Sequence, residues 1–143
     1  MTNEHQLGRV GEHYAVYRLE KAGIEAIRVD REDVDLWAKL PCQKIISVQV
    51  KSSREFNQKH RTPHFRFYFR KRGSSYKSAD ISVCVGVNST DTNLLCIQDN
   101  FEYEKRRDIR INKKFFNKKQ EEESIYRLII NNPLVHLGQD KII

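Results

Sequence analysis

Two short segments that alternate apolar with polar residues, separated by three positions, constrain this chain more than any other feature. In Asp33 to Leu40, the residues Val34, Leu36, Ala38 and Leu40 fall on one side; in Lys44 to Lys51, Ile46, Val48 and Val50 do. Period-two alternation marks half-buried strands, because successive side chains point to opposite faces. Pro41, Cys42 and Gln43 between them suit a tight hairpin. If Leu40 pairs with Lys44, the numbers in every cross-strand pair add to 84, so Asp35 opposes Gln49 and Asp33 opposes Lys51. Side chains directly opposed on one face lie about 5 Å apart.

A carboxylate, an amide oxygen and an ammonium on one patch suit a divalent metal and a phosphodiester. Mg²⁺ takes hard oxygen ligands, few of them from protein, and keeps positions for water and phosphate. Asp35 is the expected charged ligand, Gln49 a neutral oxygen ligand, and the Val50 carbonyl a third. Lys51 is placed to orient the attacking water or to stabilise developing charge. Asp33 and Asp30 stand as substitutes should the register shift by two or more. A polar outer face is also the ordinary condition of a half-exposed sheet, so the hairpin alone leaves both readings open.

Upstream, Glu4 to Ala22 reads as a helix with Asn3 as N-cap, Gln6 completing a capping box and Gly23 as the stop. Gly8, Glu12, Ala15, Leu19 and Ala22 recur at helical spacing, making Glu12 the one charge on a small, apolar stripe. A carboxylate facing a core needs a partner. Gly8, Gly11 and Ala15 permit close approach to the sheet, which brings Glu12 toward the hairpin site. The alternative is that Glu12 borders the stripe and is solvated.

Gly8-Arg9-Val10-Gly11-Glu12, then Ala15, Leu19 and Gly23, then Asp35-Leu36, then Val48-Gln49-Val50-Lys51-Ser52-Ser53 resemble the PD-(D/E)XK nuclease superfamily. The likeness is greatest to the small group typified by cyanobacterial intron-encoded homing endonucleases, in which the last motif often reads Gln-Val-Lys. Archaeal Holliday-junction resolvases are similar in size and motif order. The resemblance spans about Leu7 to Ser53, with a weaker echo from Tyr76 to Val83. It implies a metal-dependent nuclease, homing or junction-resolving, with Glu12, Asp35, Gln49 and Lys51 in the active site and Glu12 on the metal directly or through water. It also implies a restriction-endonuclease-like α/β fold, a mixed central sheet flanked by helices. Val34 departs from the proline of the family name, and Gln49 replaces the usual acid. A degenerate member that binds DNA without cutting it is the reading of another class.

Composition agrees. The 143 residues suit one domain, and the net charge of +7, with a pI near 9.4, favours a polyanionic partner. DNA is the expected partner and Mg²⁺ the expected cofactor, with Mn²⁺ able to substitute. Cutting both strands with one small site per chain implies a homodimer or higher homo-oligomer. No apolar run is long enough to span a membrane and no secretory signal opens the chain, so an intracellular, cytoplasmic location is expected. Cys42, Cys84 and Cys96 lack metal-type spacing and read as ordinary thiols. His60 and His64 are not read as ligands.

The basic residues cluster. Ser53, Arg54, Lys59, Arg61, Arg66, Arg70, Arg72 and Lys77 are the expected DNA contacts, and a second basic group runs from Lys105 to Lys119. His64 to Arg70 reads as a strand with Phe65, Phe67 and Phe69 inward and Arg66, Tyr68 and Arg70 outward, able to meet phosphates or bases. Charges guarding an edge strand are the alternative. Strands are further expected at Ile24 to Val29, Asp80 to Val87 and Leu94 to Ile97, and a helix from Phe115 to Ile130, stopped by Asn131-Asn132-Pro133.

Overall fold

Asn3 caps the first helix as its sequence predicts. The computed structural model, which describes residues 3–31, 34–57, 59–68, 79–88, 90–98 and 108–130, starts α1 at Glu4 and ends it at Lys21, with both halves of the Asn3–Gln6 capping box formed. Gly23 follows at φ 88°, a left-handed conformation that glycine adopts freely. The Ile24 amide then reaches back to the Leu19 carbonyl and the Gly23 amide to Glu20, closing the last turn. The buried stripe is Leu7, Gly11, Ala15 and Leu19. It lies beside the expected Gly8–Glu12 line, so Glu12 borders the buried surface.

Seven strands follow among the described residues: β1 (Glu25–Arg31), β2 (Val34–Lys39), β3 (Ile45–Phe56), β4 (His64–Tyr68), β5 (Ile81–Val87), β6 (Thr92–Gln98) and β7 (Asp108–Asn112). A short 3₁₀ turn, Lys113–Phe115, leads to α2 (Lys118–Ile129). The strands form one sheet in the order β1-β2-β3-β4-β7, and β5 and then β6 branch from β3. Among the described strands only β3–β5 is parallel, so the sheet is mixed and the expected α/β class holds.

The described residues form two hydrophobic cores. Leu19, Leu36, Val48, Val83, Leu94, Ile125 and Leu128 pack between the sheet and the helices. Phe65, Phe67, Cys84, Leu95, Ile97, Ile111 and Phe116 form the second, across the other face of β5 and β6. Cys84 and Cys96 are thus buried thiols, and burial pushes the Cys96 thiol up to about 12. Gly86 makes room here, since a Cβ on it would lie 2.9 Å from both Phe65 and Phe116. A buried carboxylate ties α1 to α2. Glu121 is 2 % exposed, accepts from the Tyr14 hydroxyl (2.6 Å) and the Leu94 amide (3.0 Å), and pairs with Arg18.

Three expectations are corrected. Strand β3 runs on to Phe56, because β5 and then β4 supply ladder partners to a polar stretch that shows no alternation. Strand β7 lies in what reads as a basic run, since Ile109 and Ile111 bury against the aromatic core while Arg110 stays between them. The last helix begins at Lys118, capped by Asn117, because Phe116 is drawn into the second core 4.6 Å from Phe65. The Asn131-Asn132-Pro133 stop, Asp33, Phe69, Arg70, Arg72, Tyr76 and Lys77 lie outside the described residues.

Candidate active site

The hairpin has the register its sequence predicts. Leu36 pairs with Val48, Trp37 with Ser47, Ala38 with Ile46 and Lys39 with Ile45. The Leu40 amide donates to the Lys44 carbonyl at 2.8 Å, and Gln43 sits at φ 77°, the left-handed residue of a three-residue turn.

Pairing ends at Leu36–Val48, and there the strands part. A continued ladder would direct the Val50 amide to the Val34 carbonyl. It donates instead to Asp35 Oδ2 at 2.7 Å. Strand β3 stays paired with β5 through Arg54–Val87 but finds β4 only at Glu55–Phe65. Between Val48 and Glu55 one edge of β3 is therefore open. In a strand the amide and carbonyl of one residue point the same way, so the Val50 carbonyl faces this gap with Asp35.

Helix α1 reaches the fork because Gly11 has no side chain: a Cβ there would lie 1.7 Å from Ser52 Oγ. This approach places Glu12 in a cleft of about 340 Å³ that His5, Gly8, Arg9, Asp35 and Val50 also line. The Glu12 side chain is 23 % exposed, and Arg28 Nη2 of β1 donates to its Oε2 at 3.1 Å. Oε1 of Glu12 remains for a further partner. The cleft is thus lined by three carboxylates, those of Glu4, Glu12 and Asp35, and a backbone carbonyl.

Gln49 and Lys51 flank Val50 and do not line this cleft, so the convergence read from the sequence is partial. Gln49 is 9 % exposed, and its buried Oε1 has no hydrogen-bond partner. A buried amide oxygen left unpaired is costly, which makes a ligand at that atom chemically apt. Asp35, Glu12, the Val50 carbonyl and the orphaned Gln49 oxygen are hard oxygen donors of the kind Mg²⁺ takes. Among the described residues no three His, Cys, Asp or Glu side chains gather to hold a metal. A site here would therefore lean on neutral oxygens. Lys51 is half-buried and pairs with Cys84 in the parallel ladder.

Of the expected DNA contacts, Lys59 and Arg61 are exposed in the β3–β4 connection. Arg66 lies over the Tyr68 ring at 5.1 Å on the outer side of β4, while Phe65 and Phe67 are buried as predicted. Ser53 is the exception. It is 4 % exposed, and its hydroxyl donates to the Arg54 carbonyl and accepts from the Arg66 amide. It anchors the β3–β4 junction, leaving its hydroxyl no reach to an outside ligand.

Sequence reasoning missed His5, Arg9 and Arg28 at the cleft. The first two carry a signal: with Glu12 and Gly8 they continue one helical face backward at spacings of three and four. Arg28 carries none, since its place depends on how β1 packs beside α1. Asp80, expected as the start of a strand and part of the motif echo, stands just before β5. Its Oδ2 accepts from the Ser47 amide (2.8 Å) and the Ser47 hydroxyl, and its own amide donates to Ser47 Oγ, pinning β5 at the start of its parallel register.

No protein-family model matches the chain, and no curated protein matches it. Among solved structures it is similar to a bacterial homing endonuclease, I-Ssp6803I, with a TM-score of 0.59 and 18 % identity, covering 78 % of this chain and 77 % of that one. At that identity the likeness is one of fold.

Proposed function

We propose that the protein is a metal-dependent DNA endonuclease of the PD-(D/E)XK type. The observation that carries this reading is the fork at Asp35. A carboxylate is held at the end of a strand pair, beside an open β3 edge, with a second carboxylate across the cleft and an orphaned amide oxygen one residue away. The similarity in fold to a homing endonuclease supports it.

In this reading Asp35, the Val50 carbonyl and Gln49 would hold Mg²⁺ or Mn²⁺, with Glu12 a ligand directly or through water. The metal, when bound, supplies a Lewis acid and an acidified water. The protein's own groups do the rest. The Val50 amide fixes the Asp35 carboxylate so that one oxygen faces the cleft. Arg28 orients Glu12. Lys51 stabilises the negative charge that develops on the phosphate, where a fixed cation has most effect. Lys59, Arg61 and Arg66 offer phosphate contacts along the β3–β4 side, to which Arg70, Arg72 and Lys77 are further candidates. Two such chains are needed to cut a duplex, so a homodimer or higher assembly belongs to the reading. Among the described residues no helix is long and apolar enough to cross a membrane.

A second reading, a DNA-binding module without catalysis, is favoured by Gln49 in place of an acid and by the Arg28 pair on Glu12. One experiment separates them. Supercoiled plasmid, linear duplex and a four-way junction are incubated at one salt concentration with Mg²⁺, Mn²⁺ or EDTA. Metal-dependent nicking that EDTA abolishes is expected. Preferential cutting of the junction would make the enzyme a resolvase, and binding without nicking would leave the second reading.

A further inference from the structure

A second cleft, of about 310 Å³, lies next to the fork along the open edge of β3, and Glu4 lines both. Its wall includes Ser52, Arg54, Glu55, Arg66 and Tyr68. Three polar atoms in this wall, Ser52 Oγ, Arg54 Nη2 and Glu55 Oε1, are buried without a hydrogen-bond partner, and of these Glu55 Oε1 is ion-paired with Lys113. The other terminal nitrogen of Arg54, Nη1, lies 3.4 Å from Glu4 Oε1, and the Glu4 side chain is 84 % exposed. An ion pair this exposed and this long contributes little. Arg54 is therefore a guanidinium using half of its fork on a weak carboxylate partner, with the other half unsatisfied. Such a group is better matched by a ligand that offers two adjacent anionic oxygens. A backbone phosphate does so, and Arg66 adds a second positive charge on the same wall.

We propose that this cleft is a subsite for the DNA phosphate next to the one cut at the fork, and that Glu4 fills it in the free protein as a carboxylate stand-in. The proposal rests on the nuclease reading above. A strand lying along the open β3 edge passes from Asp35 to Arg54 and meets Glu4 between them. Binding then exchanges the Glu4 carboxylate for phosphate, and the repulsion of Glu4 lowers the affinity of the resting protein.

The test is a double-mutant cycle on the full chain, with a fluorescent mixed-sequence duplex as probe, in EDTA at fixed salt. Glu4→Gln keeps the side-chain shape and leaves the Asn3–Gln6 capping box in place. It should tighten binding about twofold to fivefold, the worth of one exposed charge pair. Arg54→Ala should weaken binding, and Glu4→Gln should then have no effect in the Arg54→Ala background. An unchanged affinity in Glu4→Gln overturns the subsite, as does a gain that persists without Arg54, because the effect would then be general charge. A wild-type chain that binds no DNA overturns the nuclease reading and the subsite with it.

Discussion

The Asp35 carboxylate occupies the Val50 amide at the point where β2 and β3 separate, 2.7 Å from donor to acceptor. One side chain thus ends a strand ladder and presents an anionic oxygen at the gap it opens. Structural and chemical roles meet in it, and they respond differently to substitution.

Asp35→Asn retains an oxygen that can accept from Val50 but removes the charge. The fold and the DNA affinity should stay close to wild type, while cleavage falls by about a thousandfold or more, as when a charged group acting in the transition state is lost. Plasmid nicking beside a binding titration checks this. A variant that still cuts moves the catalytic carboxylate elsewhere.

Gln49→Glu places a charge in a buried position whose oxygen has no partner. Without metal, a buried carboxylate is costly and the protein should melt at a lower temperature in EDTA than wild type. Millimolar Mg²⁺ should return that loss and raise or maintain the nicking rate, because a carboxylate ligates better than an amide. Melting curves and nicking rates against Mg²⁺ concentration give both readouts. A variant needing more metal than wild type would show that Gln49 is not a ligand.

Gly11→Ala sets two effects against each other. Helix propensity favours alanine by about 1 kcal/mol. The added methyl, however, meets Ser52 Oγ at 1.7 Å and Ser52 Cβ at 3.0 Å, and overpacking of this kind costs about 1–3 kcal/mol. Rotating the Ser52 hydroxyl away leaves the Cβ contact, so relief requires α1 to move off β3. A modest fall in melting temperature is expected, with a larger fall in cleavage because α1 carries Glu12. Adding Ser52→Ala should recover part of both.

Tyr14 gives the fold an alkaline limit. Burial, then the hydrogen bond to Glu121 and the charge of Glu121, push its hydroxyl above the usual tyrosine range. The folded group keeps its proton where the unfolded one begins to lose it, at about pH 10. Its contribution is therefore complete below that pH and declines as pH rises toward the folded value. Melting temperature should drop above about pH 10, and Tyr14→Phe should make the drop shallower. An equal slope in both proteins would assign the loss to other groups.

What the sequence determined by itself is local. The Asn3–Gln6 cap, the Gly23 stop and the hairpin register from Leu36–Val48 to Lys39–Ile45 are settled by hydrogen bonds and side-chain alternation within a few residues, and each is legible there. The Phe65 and Phe67 inward pattern is of the same kind. The tertiary structure decided whatever depends on partners far apart in the chain. It ended the hairpin at Asp35, since β3 at that point follows β5. It gave Glu12 to Arg28 and Arg54 to Glu4, buried Glu121 under Tyr14 and Arg18, and turned a basic run into β7. The same division explains the site. Period two places Gln49 and Lys51 on one face of a strand, but which atoms share a cleft with Asp35 is set by how closely α1 packs, and that closeness comes from Gly11 against Ser52.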